Sequence, residues 1–124
     1  MVFARRVFSI AGIYGIVVLL PFYLGPDWFA QRFPPPITHP EFYYGFAGTA
    51  LAWQVVFLVI SRDPVRYRLL MLPSILEKLV YGIPTTALFL AGELQPSLVV
   101  GAIVDLILAA LFLVAWFRTA PAKD

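Results

Sequence analysis

Cysteine is absent from the chain and histidine occurs once, at His39. Disulfides, thiol nucleophiles and Cys-based metal sites are thereby excluded, as is a haem held between two intramembrane histidines of one chain. No Gly-rich phosphate loop, nucleophile elbow or zinc motif occurs either. Charge is scarce: 13% of residues are Asp, Glu, Lys or Arg, against about 25% in soluble domains. The net charge of +2 is too small to suggest a nucleic-acid partner. The chain reads as non-enzymatic, with no metal and no cofactor implied by any motif.

What is abundant is apolar surface. Hydrophobic residues make up 61% of the 124, where soluble domains hold about 45–50%. A domain this small buries only part of what it exposes, so the lipid bilayer has to cover the rest. A transmembrane helix needs about 20 mostly apolar residues. Four segments qualify, at about 7–24, 42–60, 69–91 and 97–117.

The connections carry stop and start signals. Leu24-Gly25-Pro26 ends the first span, and Thr38-His39-Pro40-Glu41 resembles a capping box opening the second. Ser61-Arg62-Asp63-Pro64 closes the second, with Asp63 placed to cap the third. Gly92-Glu93-Leu94-Gln95-Pro96 turns into the fourth. Connections this short force neighbouring helices antiparallel. The predicted fold is a single all-α domain, a transmembrane four-helix bundle running up-down-up-down.

Orientation follows from basic residues. Arg5, Arg6, Arg62, Arg66, Arg68, Arg118 and Lys123 fall on one side of the predicted spans, and only Arg32 on the other. Both termini are therefore expected in the cytoplasm, in a bacterial inner membrane. Arg5-Arg6 before an apolar run also fits an export signal. The run is long enough to span, no small-residue cleavage site follows cleanly and three more spans come after it, so the arginines read as anchors.

The outer loop, Gly25 to Pro40, holds Pro26, Pro34, Pro35, Pro36 and Pro40. One or two helical turns are expected over Asp27–Phe33, with Trp28, Phe29 and Phe33 on one side. Such rings suit an interfacial belt. With His39 and Glu41 they equally suit a lid or a partner-docking surface.

Ionisable residues inside a span mark function by default, and the third and fourth spans carry Glu77, Lys78 and Asp105. Gln54 and Tyr14 add polar groups to the second and first. At about 1.5 Å rise per residue, Tyr14, Gln54 and Glu77 lie roughly 10–12 Å from the cytoplasmic boundary and Asp105 roughly 18 Å. Polar groups from all four helices thus share a level near the midplane and read as a candidate ligand site. Gly101, Asp105 and Ala109 share a face, and Gly12, Gly15, Gly45 and Gly48 thin the first two helices for close packing. Pro73 and Pro84 bracket the charged pair and predict kinks. The alternative is structural: Glu77 and Lys78 diverge by about 100° around the helix, Lys78 snorkels to the headgroups, and Asp105 serves as polar glue.

The block His39-Pro40-Glu41-Phe42-Tyr43-Tyr44-Gly45-Phe46, followed by Trp53-Gln54, Arg62-Asp63-Pro64-Val65-Arg66-Tyr67-Arg68 and Glu77-Lys78, resembles a group of small bacterial four-span proteins with no assigned activity. In architecture the chain is similar to the DoxX-like small membrane proteins, and more distantly to the EXPERA group of sterol isomerases and sigma-type receptors. The first resemblance implies a four-span bundle. The second implies Glu77 and Asp105 as intramembrane carboxylates facing a cationic ligand or intermediate. The leading expectation is an accessory subunit of a larger membrane complex, or a homo-oligomer, or a binder of a small apolar ligand. The alternatives are a membrane isomerase using Glu77 and Asp105, or a small proton-coupled exporter using Glu77.

Overall fold

The structure, a computed structural model, describes residues 2–34 and 36–121. Pro35 of the outer loop and Lys123 of the basic cluster lie outside the described residues. All regular structure among the described residues is helical: α1 Val2–Leu24, α2 Pro26–Arg32, α3 Pro40–Arg62, α4 Met71–Leu90 and α5 Pro96–Arg118. Of these, α1, α3 and α5 are long and apolar enough to cross a membrane. At 20 residues α4 is long enough, but it is less apolar, with Glu77 and Lys78 in its middle.

The long helices associate as two pairs, α1 with α3 and α4 with α5, and α1 joins the pairs by packing on α5. Glycines make each pair. A Cβ on Gly12 would lie 2.8 Å from the Leu58 side chain and 2.9 Å from the Gln54 carbonyl oxygen, so α1 meets α3 at backbone distance. A Cβ on Gly82 would lie 2.8 Å from Leu106, and Gly82 does the same for α4 on α5. In lipid, close van der Waals packing of this kind substitutes for the hydrophobic drive between helices.

The pairs are knitted at one end by three rings. Phe8 of α1 stacks on Phe112 of α5 at 4.2 Å, and Phe57 of α3 meets Phe112 edge-on at 5.0 Å. Ala4, Ala11, Ile60, Met71 and Ala115 complete this core. It gathers the start of α1, the end of α3, the start of α4 and the end of α5.

Proline chemistry explains several helix ends. The Phe22 carbonyl would accept from residue 26, but Pro26 has no N–H. The Tyr43 hydroxyl donates to that carbonyl instead, tying α3 to the end of α1. Pro73 falls in the first turn of α4, where N–H groups have no helical acceptor, so it interrupts no backbone pairing there. Pro84 is interior. Gly92, at φ 77°, ends α4: its N–H donates to Phe89 and that of Glu93 to Leu88, the paired bonds of a Schellman cap.

Two predicted caps form differently. The capping box at Thr38–Glu41 is absent; His39 occupies the N-cap without a side-chain bond, and its carbonyl accepts from Phe42 and Tyr43. The Asp63 carboxylate accepts from the Arg66 N–H at 3.1 Å, capping the turn at 64–67 rather than α4, which starts only after a 3-10 turn over Arg68–Leu70. Arg68, expected simply as a topology charge, clamps the end of α5. Its guanidinium donates to the carbonyls of Thr119 (2.6 Å) and Trp116 (3.1 Å) and lies 3.5 Å from the Trp116 ring centre. Carbonyls at a helix C-terminus lack helical donors, and a cation there satisfies them.

The expected close packing at Gly45 and Gly101 does not occur, since a Cβ at either would meet nothing within 4 Å. These glycines keep space open. Gly12→Ala is accordingly expected to destabilise the protein by about 1–3 kcal/mol through overpacking against backbone. Gly101→Ala should be neutral, or stabilising by up to about 1 kcal/mol from helix propensity. Thermal unfolding of the two variants in one detergent checks the order, and equal midpoints would contradict the packing described.

Candidate functional site: a polar cavity between the helix pairs

Away from the aromatic core the two pairs separate, because α3 and α4 touch little. The space between them is a cavity of about 140 Å³ reached by residues of all five helices. Tyr14, Gln54, Glu77, Lys78 and Asp105 all line it. Its remaining wall is mostly apolar and aromatic, including Leu19, Phe22, Phe29, Phe46 and Tyr81.

Lys78 is the centre of the polar group. It is only 4% exposed, so it does not snorkel to a headgroup. Its ammonium lies 3.3 Å from Asp105 Oδ1 and 3.6 Å from Glu77 Oε2, and 5.1 Å from the centre of the Phe57 ring. Adjacent positions on a helix diverge, yet the flexible Lys78 stem folds back far enough to stand between both carboxylates. Two carboxylates sharing one ammonium leave an excess of one negative charge when all three are ionised. Glu77 Oε2 has no hydrogen-bond partner within normal distance.

Gln54, 1% exposed, is the other buried polar side chain of the site. Its amide nitrogen donates 2.8 Å to the Ala50 carbonyl one turn back, which orients the group and leaves Oε1 without a partner. Gly15 makes the room: a Cβ there would fall 1.8 Å from Gln54 Oε1. Tyr14, beside it in sequence, is partly exposed.

The outer loop closes over one end of the cavity. Phe22, at the end of α1, meets Trp28 (6.0 Å), Phe29 (5.0 Å) and Phe33 (6.4 Å), and Phe29 also meets Tyr43 (5.3 Å). Phe22 and Phe29 thereby form part of the cavity wall. Trp28 stays exposed with the Arg32 guanidinium 5.1 Å from its ring centre. His39 and Glu41 are exposed, 3.4 Å apart, and take no part in the cavity. The loop residues grouped by sequence as one surface therefore divide into an inward set and an outward set.

Phe22, Phe46 and Tyr81 escaped the sequence reading, and Gly101 was assigned there to helix packing rather than to the cavity. Helical spacing carries the missing signal, because residues four apart share a face. Phe46, Ala50 and Gln54 form one such row, Glu77 and Tyr81 another, and Gly101 and Asp105 a third.

Removing one member of a buried ion group leaves uncompensated charge, at a cost of roughly 3–5 kcal/mol. Lys78→Met is expected to destabilise the protein by about that much, and adding Glu77→Gln and Asp105→Asn to it should recover most of the loss. Unfolding of the single and triple variants in detergent checks this; a triple variant no more stable than the single would contradict it. Comparison with family models, curated proteins and solved structures gives no match to this chain.

Proposed function

We propose that the protein is a non-enzymatic, four-span membrane protein that holds a small, largely apolar molecule in the cavity between its helix pairs. The observation that carries this reading is the cavity: about 140 Å³, apolar and aromatic in most of its wall, with the polar residues Gln54, Glu77, Lys78 and Asp105 converging in its lining. Ligand sites have this composition, an apolar surround with a few convergent polar groups that fix orientation.

The convergence of alternate helix ends on the Phe8–Phe57–Phe112 core supports an antiparallel up-down-up-down bundle. The position of Lys78 between Glu77 and Asp105 supports α4 as its fourth span, because ionised groups are tolerated in lipid when they face the bundle and pair. Arg5, Arg6, Arg62, Arg66 and Arg118 stand at one set of helix ends and Arg32 at the other. That bias supports cytoplasmic termini, in a bacterial inner membrane.

The cysteine-free chain makes topology simple to test. A single Arg66→Cys is expected to react with an impermeant maleimide from the cytoplasmic side alone, and a single Glu93→Cys from the outside alone. Reaction of both from one side would remove α4 from the spans.

A second reading, an accessory subunit of a larger membrane assembly, draws on the open groove left where α3 and α4 fail to close. Native mass spectrometry of the protein, extracted gently from its own membrane, separates the two. A bound small molecule is expected that disappears in Gly101→Leu, which fills the open space without removing a polar group. A stoichiometric protein partner would favour the subunit instead, and a bare chain would overturn the ligand reading.

A further inference from the structure

The boundaries of the cavity differ in what holds them shut. One end is filled by the Phe8–Phe57–Phe112 core. At the other end Phe22 meets Phe29 and Phe33, and Phe29 meets Tyr43. There the Gln95 side-chain amide also donates to the Pro34 carbonyl at 3.1 Å, tying the outer loop to the residue before α5. On one side α1 packs on α5. On the other, α3 and α4 touch little, and one pair of rings stands between them. Phe46 of α3 and Tyr81 of α4 stack there, with centres 5.5 Å apart and planes inclined by 28°.

That pair has open space on both sides of it. Phe46 and Tyr81 line the cavity, and they also line a groove of about 320 Å³ between α3 and α4 that Gly45, Thr49 and Val80 border. A Cβ on Gly45 would meet nothing within 4 Å, so the groove leads up to the rings unobstructed. Phe46 is 46% exposed, with few neighbours to hold it in place. Exposed side chains change rotamer in picoseconds to nanoseconds, whereas loops move more slowly. Parting the two rings leaves both helix backbones where they are. Opening the outer loop breaks several ring contacts and a hydrogen bond together.

We propose that Phe46 and Tyr81 form a side gate, through which a small apolar molecule passes between the lipid and the cavity. Apolar molecules leave water for hydrocarbon, so an entrance between two spans meets them where they are concentrated. This inference rests on the ligand reading above, with α3 and α4 both as spans, and adds the route to the site.

The test uses the full chain in nanodiscs, with Gly101→Cys as a thiol in the open part of the cavity of a chain that has no other cysteine. Its reaction with N-ethylmaleimide, small and soluble in lipid, is followed by mass spectrometry. Adding Phe46→Ala or Tyr81→Ala is expected to speed the reaction about two- to tenfold, the worth of one aromatic pair. Gly45→Leu, which fills the groove outside the gate without touching the cavity lining, should slow it. Phe29→Ala enlarges the cavity at the outer-loop end and serves as the control, with little change expected. A sulfonated maleimide, excluded from hydrocarbon, should react far more slowly than N-ethylmaleimide. A response to Phe29→Ala as large as that to Phe46→Ala would move the entrance to the outer loop and overturn the gate. Equal rates in all variants, equal rates with the two reagents, or no reaction in any variant would overturn it as well. In each of these cases the ligand reading stands or falls separately, on the molecule that native mass spectrometry finds or fails to find.

Discussion

Two helix pairs in a bilayer have little reason to stay together, because lipid is as good an apolar solvent as another helix. In this chain the constraint is met by ring geometry. Phe112 reaches from α5 to lie flat on Phe8 and edge-on to Phe57, so one side chain touches both members of the other pair. Aromatic pairs add about 0.5–1.5 kcal/mol each beyond the area they bury, and small neighbours such as Ala4, Ala11 and Ala115 let the rings approach. Beyond the rings α3 and α4 make little contact, bridged by the Phe46–Tyr81 stack at 5.5 Å, and the cavity lies between the pairs there.

The ionised groups depend on the same arrangement. Lys78 sits one layer beyond the rings, its ammonium above Phe57 and against two carboxylates. A lysine this deeply buried has to be paired, and here the pairing holds α4 to α5 through Asp105. The polar groups thus join two helices through the ion pair and also belong to residues that line the cavity.

The helical class and the apolar character of α1, α3 and α5 were legible from length and composition, because a run of apolar residues bounded by proline and charge has few other uses. The shared level of Tyr14, Gln54, Glu77, Lys78 and Asp105 was also legible, since depth along a helix follows from counting residues. Rotation about each helix was not. Nothing in a single sequence says that Gly12 and Gly82 face a neighbour while Gly45 and Gly101 face open space. The caps at His39 and Asp63 depended on where the backbone turned rather than on which residues were available. The inward turn of Phe29 was hidden as well, because it follows from Phe22 and from a carbonyl that Pro26 leaves for Tyr43.

The helix-joining rings and the cavity occupy different levels of the same four helices, so the residues that hold the protein together are largely not those that shape its pocket. Substitutions at Gly45, Phe46, Tyr81 or Gly101 alter the lining and leave the Phe8–Phe57–Phe112 contact untouched. Most proteins sit close to the stability they need, and changes of specificity are often blocked because they unfold the scaffold. A bundle divided along its axis in this way escapes much of that conflict: the lining of the cavity can drift in sequence while the frame is inherited unchanged.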